Sequence, residues 1–136
     1  MSEGHYGVAL SLATDEFMDH VGIHRTYRKQ TGGTLYTADT HLVFIRELHE
    51  GDTLRYTTQL IDFDEKRLHM IHTLYHGEEG YLAATGEYML LHVDQNVGKV
   101  VPMPETILQR IRPIAAAHKS LPYPEQAGRT IGIRRR

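Results

Sequence analysis

The sequence predicts an α+β domain in which an antiparallel sheet wraps one central helix, with a second helix near the C-terminal end. Three observations carry this. Residues 2–22 place Tyr6, Ala9, Ala13, Phe17 and Val21 at steps of three and four, the spacing of one helix face. Four later segments alternate polar and apolar residues with the two-residue period of strands. The links between those strands are short, and short links join antiparallel neighbours, because parallel neighbours need crossovers of roughly a dozen residues.

The opening helix fits its ends. Ser2 suits an N-cap, Glu3 complements the helix dipole, and Gly22 suits the C′ position. Val8, Leu10 and Leu12 widen its apolar stripe, so the helix is expected to be buried on several sides. Residues 23–33 read as an irregular link with a short helical turn at 24–29, closed by Gly32 and Gly33. The first strand, 34–46, sets Tyr36, Ala38, Leu42 and Phe44 on one face, with Asp39 and His41 on the other. The second, 53–63, sets Leu54, Tyr56 and Leu60 opposite Arg55 and Gln59. The third, 67–76, groups Leu68, Met70 and Leu74, and 77–80 is a hairpin loop. The fourth, 81–94, carries Ala83, Ala84 and Gly86, small enough for the helix to approach closely.

A turn at 95–98 and a segment at 100–104 lead to the second helix, 105–118. Leu108 and Ile111 are its apolar pair, and Pro113 is expected to kink or interrupt it near Arg112. Residues 1–120 read as one domain. Residues 121–136 read as a poorly ordered C-terminal tail containing Pro122, Pro124 and a final Arg134-Arg135-Arg136.

Composition narrows the function classes. The 136 residues suit a single core. A net charge of −2 gives no overall basic field for nucleic acid. The absence of cysteine excludes disulfides, thiolate metal sites and a cysteine nucleophile. No run approaches the roughly 18 apolar residues of a membrane span. Polar residues follow Met1, unlike a signal peptide. The expectation is a cytoplasmic protein with neither a nucleic-acid nor a membrane partner.

Several constellations could carry chemistry. His69, His72 and His76 would share a face on a helix and could bind metal. On a strand His69 points away from the other two, so no metal site is expected, and His72 reads as a hydrogen-bonded core histidine. Asp39 and His41 project from one strand face as a candidate acid–base pair, with a solvated polar face as the plainer reading. Glu3 and His5 lie at the helix start, where backbone N–H groups point outward towards an anion or a carbonyl oxygen. Glu16 and Asp19 are expected to face solvent. Tyr6, Tyr36, Phe44, Tyr56 and Tyr88 could line a pocket, although most are expected to pack in the core or across strands. Nucleophile-elbow, P-loop and dinucleotide motifs are absent.

An ordered set of stretches points to a family. They are Ala13-Thr14-Asp15 with Phe17 and Gly22, residues 47–58 around Gly51-Asp52, and Lys66-Arg67-Leu68-His69. Ala84-Thr85-Gly86-Glu87 and Leu90-Leu91-His92-Val93-Asp94 complete it. In these stretches the chain resembles the hotdog-fold acyl-CoA thioesterases of the 4-hydroxybenzoyl-CoA thioesterase superfamily, and within them the betainyl-CoA thioesterase type, over roughly residues 1–118.

The resemblance implies a curved sheet around the central helix and a homodimer or homotetramer with active sites at the subunit interface. It also implies an acyl-CoA substrate whose carbonyl sits at the helix N-terminus. CoA is then part of the substrate, and no cofactor is required. Tyr6 matches a helix tyrosine near the substrate cleft. Glu3 and His5 are placed near the expected catalytic position without matching its motif, and Asp39 and His41 are candidate substrate contacts. If the acyl group is small and cationic, Tyr6, Tyr36 or Phe44 could face a quaternary ammonium.

The chain departs from the pattern at its start. The family has an additional strand before the helix, ending in a motif like Asp-x-Asn-Gly-His-Met, and its Asp is the expected catalytic carboxylate. Met1 falls at that closing Met. The expectation is a start at an internal Met of a longer protein, the alternative being a natural variant without that carboxylate. The function expected is hydrolysis of a small acyl-CoA thioester. The alternatives are a hotdog protein that binds such esters without turnover and, last, a hotdog hydratase or dehydratase.

Overall fold

The computed structural model describes residues 3–133, with Glu3 described by its backbone alone. The expected Ser2 cap and the Arg134-Arg135-Arg136 run lie outside the described residues, as does the Glu3 side chain.

Helix α1 spans Glu3–Val21. It ends as its glycine requires. Gly22 adopts φ +94°, a left-handed turn that glycine enters without a Cβ clash. Its N–H bonds to the Asp19 carbonyl at 3.3 Å, and the Ile23 N–H bonds to the Met18 carbonyl at 2.8 Å. This is a Schellman ending, with Met18 and Ile23 as its buried apolar pair. The helical turn expected at 24–29 is a full short helix, α2, Arg25–Thr31. The His24 imidazole caps it by accepting the Tyr27 N–H at 3.1 Å, and Gly32 closes it at φ +76°.

Four long strands follow: β1 Gly33–Phe44, β2 Leu54–Phe63, β3 Arg67–His76 and β4 Leu82–Asp94. They pair antiparallel in the order β1-β4-β3-β2. A fifth strand, β5 Lys99–Val100, pairs with β4 where the sequence suggested only a link. Helix α3 spans Glu105–His118 and runs on through Pro113 instead of stopping before it. Its buried residues are Ile107 and Ile111, one turn apart, while Leu108 flanks the core. Its last residue, His118, accepts the Leu60 N–H of edge strand β2 at 2.9 Å.

The inner face of the sheet packs under α1. Tyr56, Leu74, Ala84 and Phe44 form one cross-strand row, and Thr58, His72, Gly86 and Leu42 form the next. Tyr6 lies edge-on against Phe44, with ring centroids 5.1 Å apart. Thr14 bonds to His72. The expected close approach at β4 is present: a Cβ on Gly86 would stand 3.0 Å from Leu10 Cδ1 and 2.8 Å from the Tyr88 ring.

Two expectations about exposure are overturned. Leu10 is fully buried, but Val8 and Leu12 are 62% and 55% exposed, because the sheet covers only one side of α1. In β1 the register slips between Thr37 and Asp39. The bulge leaves Ala38 unpaired and reverses the alternation. Tyr36 therefore opposes Leu91 on the outer face, whereas Leu42 and Phe44 face α1. Glu16, expected in solvent, is exposed yet accepts the Tyr56 hydroxyl.

The tail is also more defined than its composition suggested. Gln59, Ile71, Glu87 and His41 form one row across the outer face. The Pro122 carbonyl accepts from Gln59 at 3.3 Å at one end of this row. Further along it, the Gly128 N–H donates to both Glu87 carboxylate oxygens, at 2.9 and 3.1 Å. Ala127 is buried beside it. Removing the acceptor with Glu87→Ala is expected to raise amide exchange across residues 125–130 and to speed tryptic cleavage after Arg129. Unchanged exchange there would show that the tail is held by other contacts.

Candidate active site

The start of α1 meets two loops. Tyr6 is 5% exposed, and its hydroxyl accepts the Leu48 N–H of the β1–β2 loop at 2.9 Å. Leu48 is fully buried, so this bond pins the loop against the first turn of the helix. One residue further, the His49 N–H donates to Asp52 Oδ2 at 2.8 Å, while the Asp52 N–H returns to the His49 carbonyl at 3.1 Å. Gly51, at φ +90°, permits the tight turn.

The hairpin between β3 and β4 closes the other side. His76 Nδ1 accepts the N–H groups of Glu78 and Glu79 at 3.2 and 3.0 Å. A ring nitrogen that accepts carries no proton, so the neutral imidazole holds its proton on Nε2. Nε2 stands 3.6 Å from Asp52 Oδ2. Tyr81 stacks on His76 at 5.0 Å, takes the Arg46 guanidinium over its ring at 3.9 Å, and donates to the Glu47 carbonyl at 2.7 Å. The loop from Arg46 to Asp52 and the hairpin from His76 to Tyr81 bound a cavity of about 470 Å³, and among the described residues none of α1 lines it. Within it the His49 N–H holds the Asp52 carboxyl below the usual carboxylate range, with the neighbouring imidazoles of His76 and His49 adding to the effect.

The residues singled out from sequence divide between two places. Tyr6 and His5 lie in the first turns of α1, His5 exposed. Asp39 and His41 do share a strand face, but it is the outer one. There they line a second cavity of about 300 Å³ with His69, Glu87 and Arg129. His69 Nε2 and Glu87 Oε2 are 2.6 Å apart in it. The structure therefore does not bring Asp39 and His41 together with the helix start, because the sheet lies between them.

Sequence reasoning missed the Asp52–His76 pair. In the sequence Gly51-Asp52 stands out only as the close of a polar turn and a family stretch, and His76 only as part of a histidine spacing. The signal that joins them is the β2–β3 register, which pairs Leu54 with His76 and so sets the preceding loop beside the hairpin.

His72 takes the role expected of a core histidine. It is fully buried, with Nε2 2.8 Å from the Thr14 hydroxyl and Nδ1 2.7 Å from that of Thr58. Burial pushes its pKa down to about 4, so it is neutral at pH 7. Among the described residues no three His, Asp or Glu side chains are arranged to hold a metal ion, and no helix is long and apolar enough to cross a membrane.

Comparison with known proteins extends the picture. The profile of the thioesterase-like superfamily matches residues 1–111. A betainyl-CoA thioesterase of Pseudomonas aeruginosa is 38% identical over 98% of this chain and 84% of its own length. An L-carnitine dehydrogenase/betainyl-CoA thioesterase of a Rhizobium species is 36% identical over 99% of this chain, which spans 27% of that larger protein. Among solved structures, the hypothetical protein SAV2348 from Staphylococcus aureus, in complex with CoA, superposes with a TM-score of 0.90 at 30% identity. The match covers 98% of this chain and 84% of that one.

Proposed function

The chain belongs to the thioesterase-like superfamily and has its hotdog fold, and from that premise we propose that it hydrolyses a small acyl-CoA thioester with a betainyl-like acyl group. The observation that carries the reading is the likeness to the Pseudomonas aeruginosa betainyl-CoA thioesterase, which runs over 98% of the chain. The CoA complex of the Staphylococcus aureus relative supports CoA as the handle of the substrate.

Chemistry follows from the helix start. The first N–H groups of an α-helix have no carbonyl partner within the helix, and together with the dipole they favour negative charge. A thioester carbonyl placed there gains charge on oxygen as water attacks, and those N–H groups stabilise the oxyanion. Glu3 and His5 stand in that turn as candidate proton-handling groups, and Tyr6 fixes the wall beside it. The Tyr6–Phe44 pair leaves Phe44 46% exposed, an aromatic surface suited to a trimethylammonium head. Asp39 and His41, on the outer face, would meet only a distant part of CoA. The reading has the chain working as a homodimer, which the exposed Val8 and Leu12 on α1 support.

The test is release of free thiol from a panel of acyl-CoAs. Turnover of betainyl-CoA well above that of long-chain acyl-CoAs is expected. Saturable binding of CoA esters without thiol release would replace this reading with the non-catalytic one.

A further inference from the structure

Beyond Gly128, which Glu87 holds, the tail runs on beside β1. Residues 129–132 and residues 41–44 of β1 bound a cavity of about 340 Å³. We propose that this cavity receives the pantetheine arm of a CoA ester and that Arg129 of the tail binds its pyrophosphate. This rests on the thioesterase reading above and goes beyond it in giving the nucleotide end of the substrate a place on this chain.

Three observations support the assignment. The first is where the cavity lies. Successive residues of a strand point to opposite faces, yet four in succession, His41 to Phe44, line this cavity. It therefore follows the outer edge of β1, which among the described residues pairs with β4 alone. Along that edge a ligand passes from the inner face, where Phe44 meets Tyr6, to the outer face, where His41 stands.

The second observation is length. The arm from the sulfur of CoA to its first phosphorus has roughly the bond count of four peptide residues, a reach of about 14 Å. The ring centroids of Tyr6 and Phe44 are 5.1 Å apart, and the three strand steps from Phe44 to His41 add about 10 Å. A CoA ester with its carbonyl at the helix start thus sets its pyrophosphate beside His41 and Arg129.

The third is charge. No carboxylate lines this cavity, and His41 and Arg129 line both it and the adjoining outer cavity. Two carboxylates face Arg129 from that outer cavity. Glu87 already accepts the Gly128 N–H and stands 2.6 Å from His69 Nε2, and Asp39 is exposed to solvent. Arg129 makes no ion pair among the described residues. An unpaired guanidinium binds phosphate oxygens two at a time. Phe44 and Ile131, 46% and 85% exposed, give the arm apolar walls. Glu87 is a positioning residue here: by holding Gly128 it sets the place of the next residue, Arg129.

The test compares an acyl-CoA with the same acyl group on pantetheine, which carries no phosphate. Arg129→Ala should raise KM for the acyl-CoA about tenfold. It should leave kcat within twofold, KM for the pantetheine ester unchanged, and Tm unchanged. Arg129→Lys should recover part of the loss. Glu87→Ala should shift KM for the acyl-CoA in the same direction. Arg110→Ala, an exposed cation on α3, is the control and should leave both KM values unchanged. An Arg129→Ala chain with KM for the acyl-CoA within twofold of wild type overturns the role of Arg129 and leaves the thioesterase reading standing. An equal rise in KM for the two esters also overturns it, since the tail would then act on the shape of the site and not on phosphate. If the wild type releases no thiol, calorimetric binding of CoA and of pantetheine replaces KM. Weaker binding of CoA alone in Arg129→Ala then upholds the phosphate contact while the catalytic reading falls, and a wild type that binds neither overturns both.

Discussion

The chain is expected to lose about 3 kcal/mol of stability between pH 6.5 and pH 4 through His72 alone. Folding buries this imidazole under α1 and lowers its pKa from 6.5 to about 4, so the folded chain binds the proton less readily than the unfolded one. Stability from this group is full above pH 6.5, declines as pH falls through that window, and is level again below about pH 4. The shift, at 1.36 kcal/mol per unit, sets the size. Denaturant unfolding measured across the window, wild type against His72→Gln, isolates the effect from the other nine histidines. The difference in stability between the two chains should shrink steadily with acid. A constant difference from pH 7 to pH 4 would mean that His72 titrates normally.

The second large effect lies where the helix touches the sheet. Gly86→Ala should destabilise by about 1–3 kcal/mol, because the new methyl overpacks a filled core. It would stand 2.8 Å from the Tyr88 ring and 3.0 Å from Leu10 Cδ1. Leu10→Ala alone should cost about 2–5 kcal/mol through the cavity it leaves. Since each change acts on the same space, the double variant should be more stable than the sum of the single ones predicts, by a coupling of roughly 1 kcal/mol. Additive values in a thermal or denaturant cycle would place Leu10 and Gly86 out of contact.

Much of this architecture was legible in the sequence because it rests on local periods. The α1 stripe, the alternation in β2 and β3, and the small residues of β4 each encode a face without knowledge of neighbours. Gly22 announced its own turn. The failures share a cause. A bulge at Ala38 depends on pairing with β4 and leaves no mark in a two-residue pattern, so Tyr36 and Phe44 were assigned one face. The tail is held by contacts made across the outer face, to Gln59 on β2 and Glu87 on β4, which lie dozens of residues earlier and leave no mark in its own composition. Val8 and Leu12 look like core residues by type, but only the arrangement of the sheet decides which side of a helix is covered.

The site divides in the same way. The place of Tyr6 in the first turns of α1 follows from the helix stripe alone, a sequence-local feature. Asp39 and His41 were rightly grouped on a face, and only the register shows that this face is turned away from α1. Asp52 and His76 lie 24 residues apart and meet only when β2 and β3 pair, so no spacing rule could join them.

That the chemistry belongs to the start of α1, and not to the outer face, is tested most directly by hydrogen exchange with and without saturating CoA. Protection is expected in residues 4–10 and 45–52, with the strongest effect in the loop that Tyr6 holds. Protection confined to residues 39–41 and 128–130, beside Glu87 and His69, would place the ligand in the outer cavity and contradict the site described.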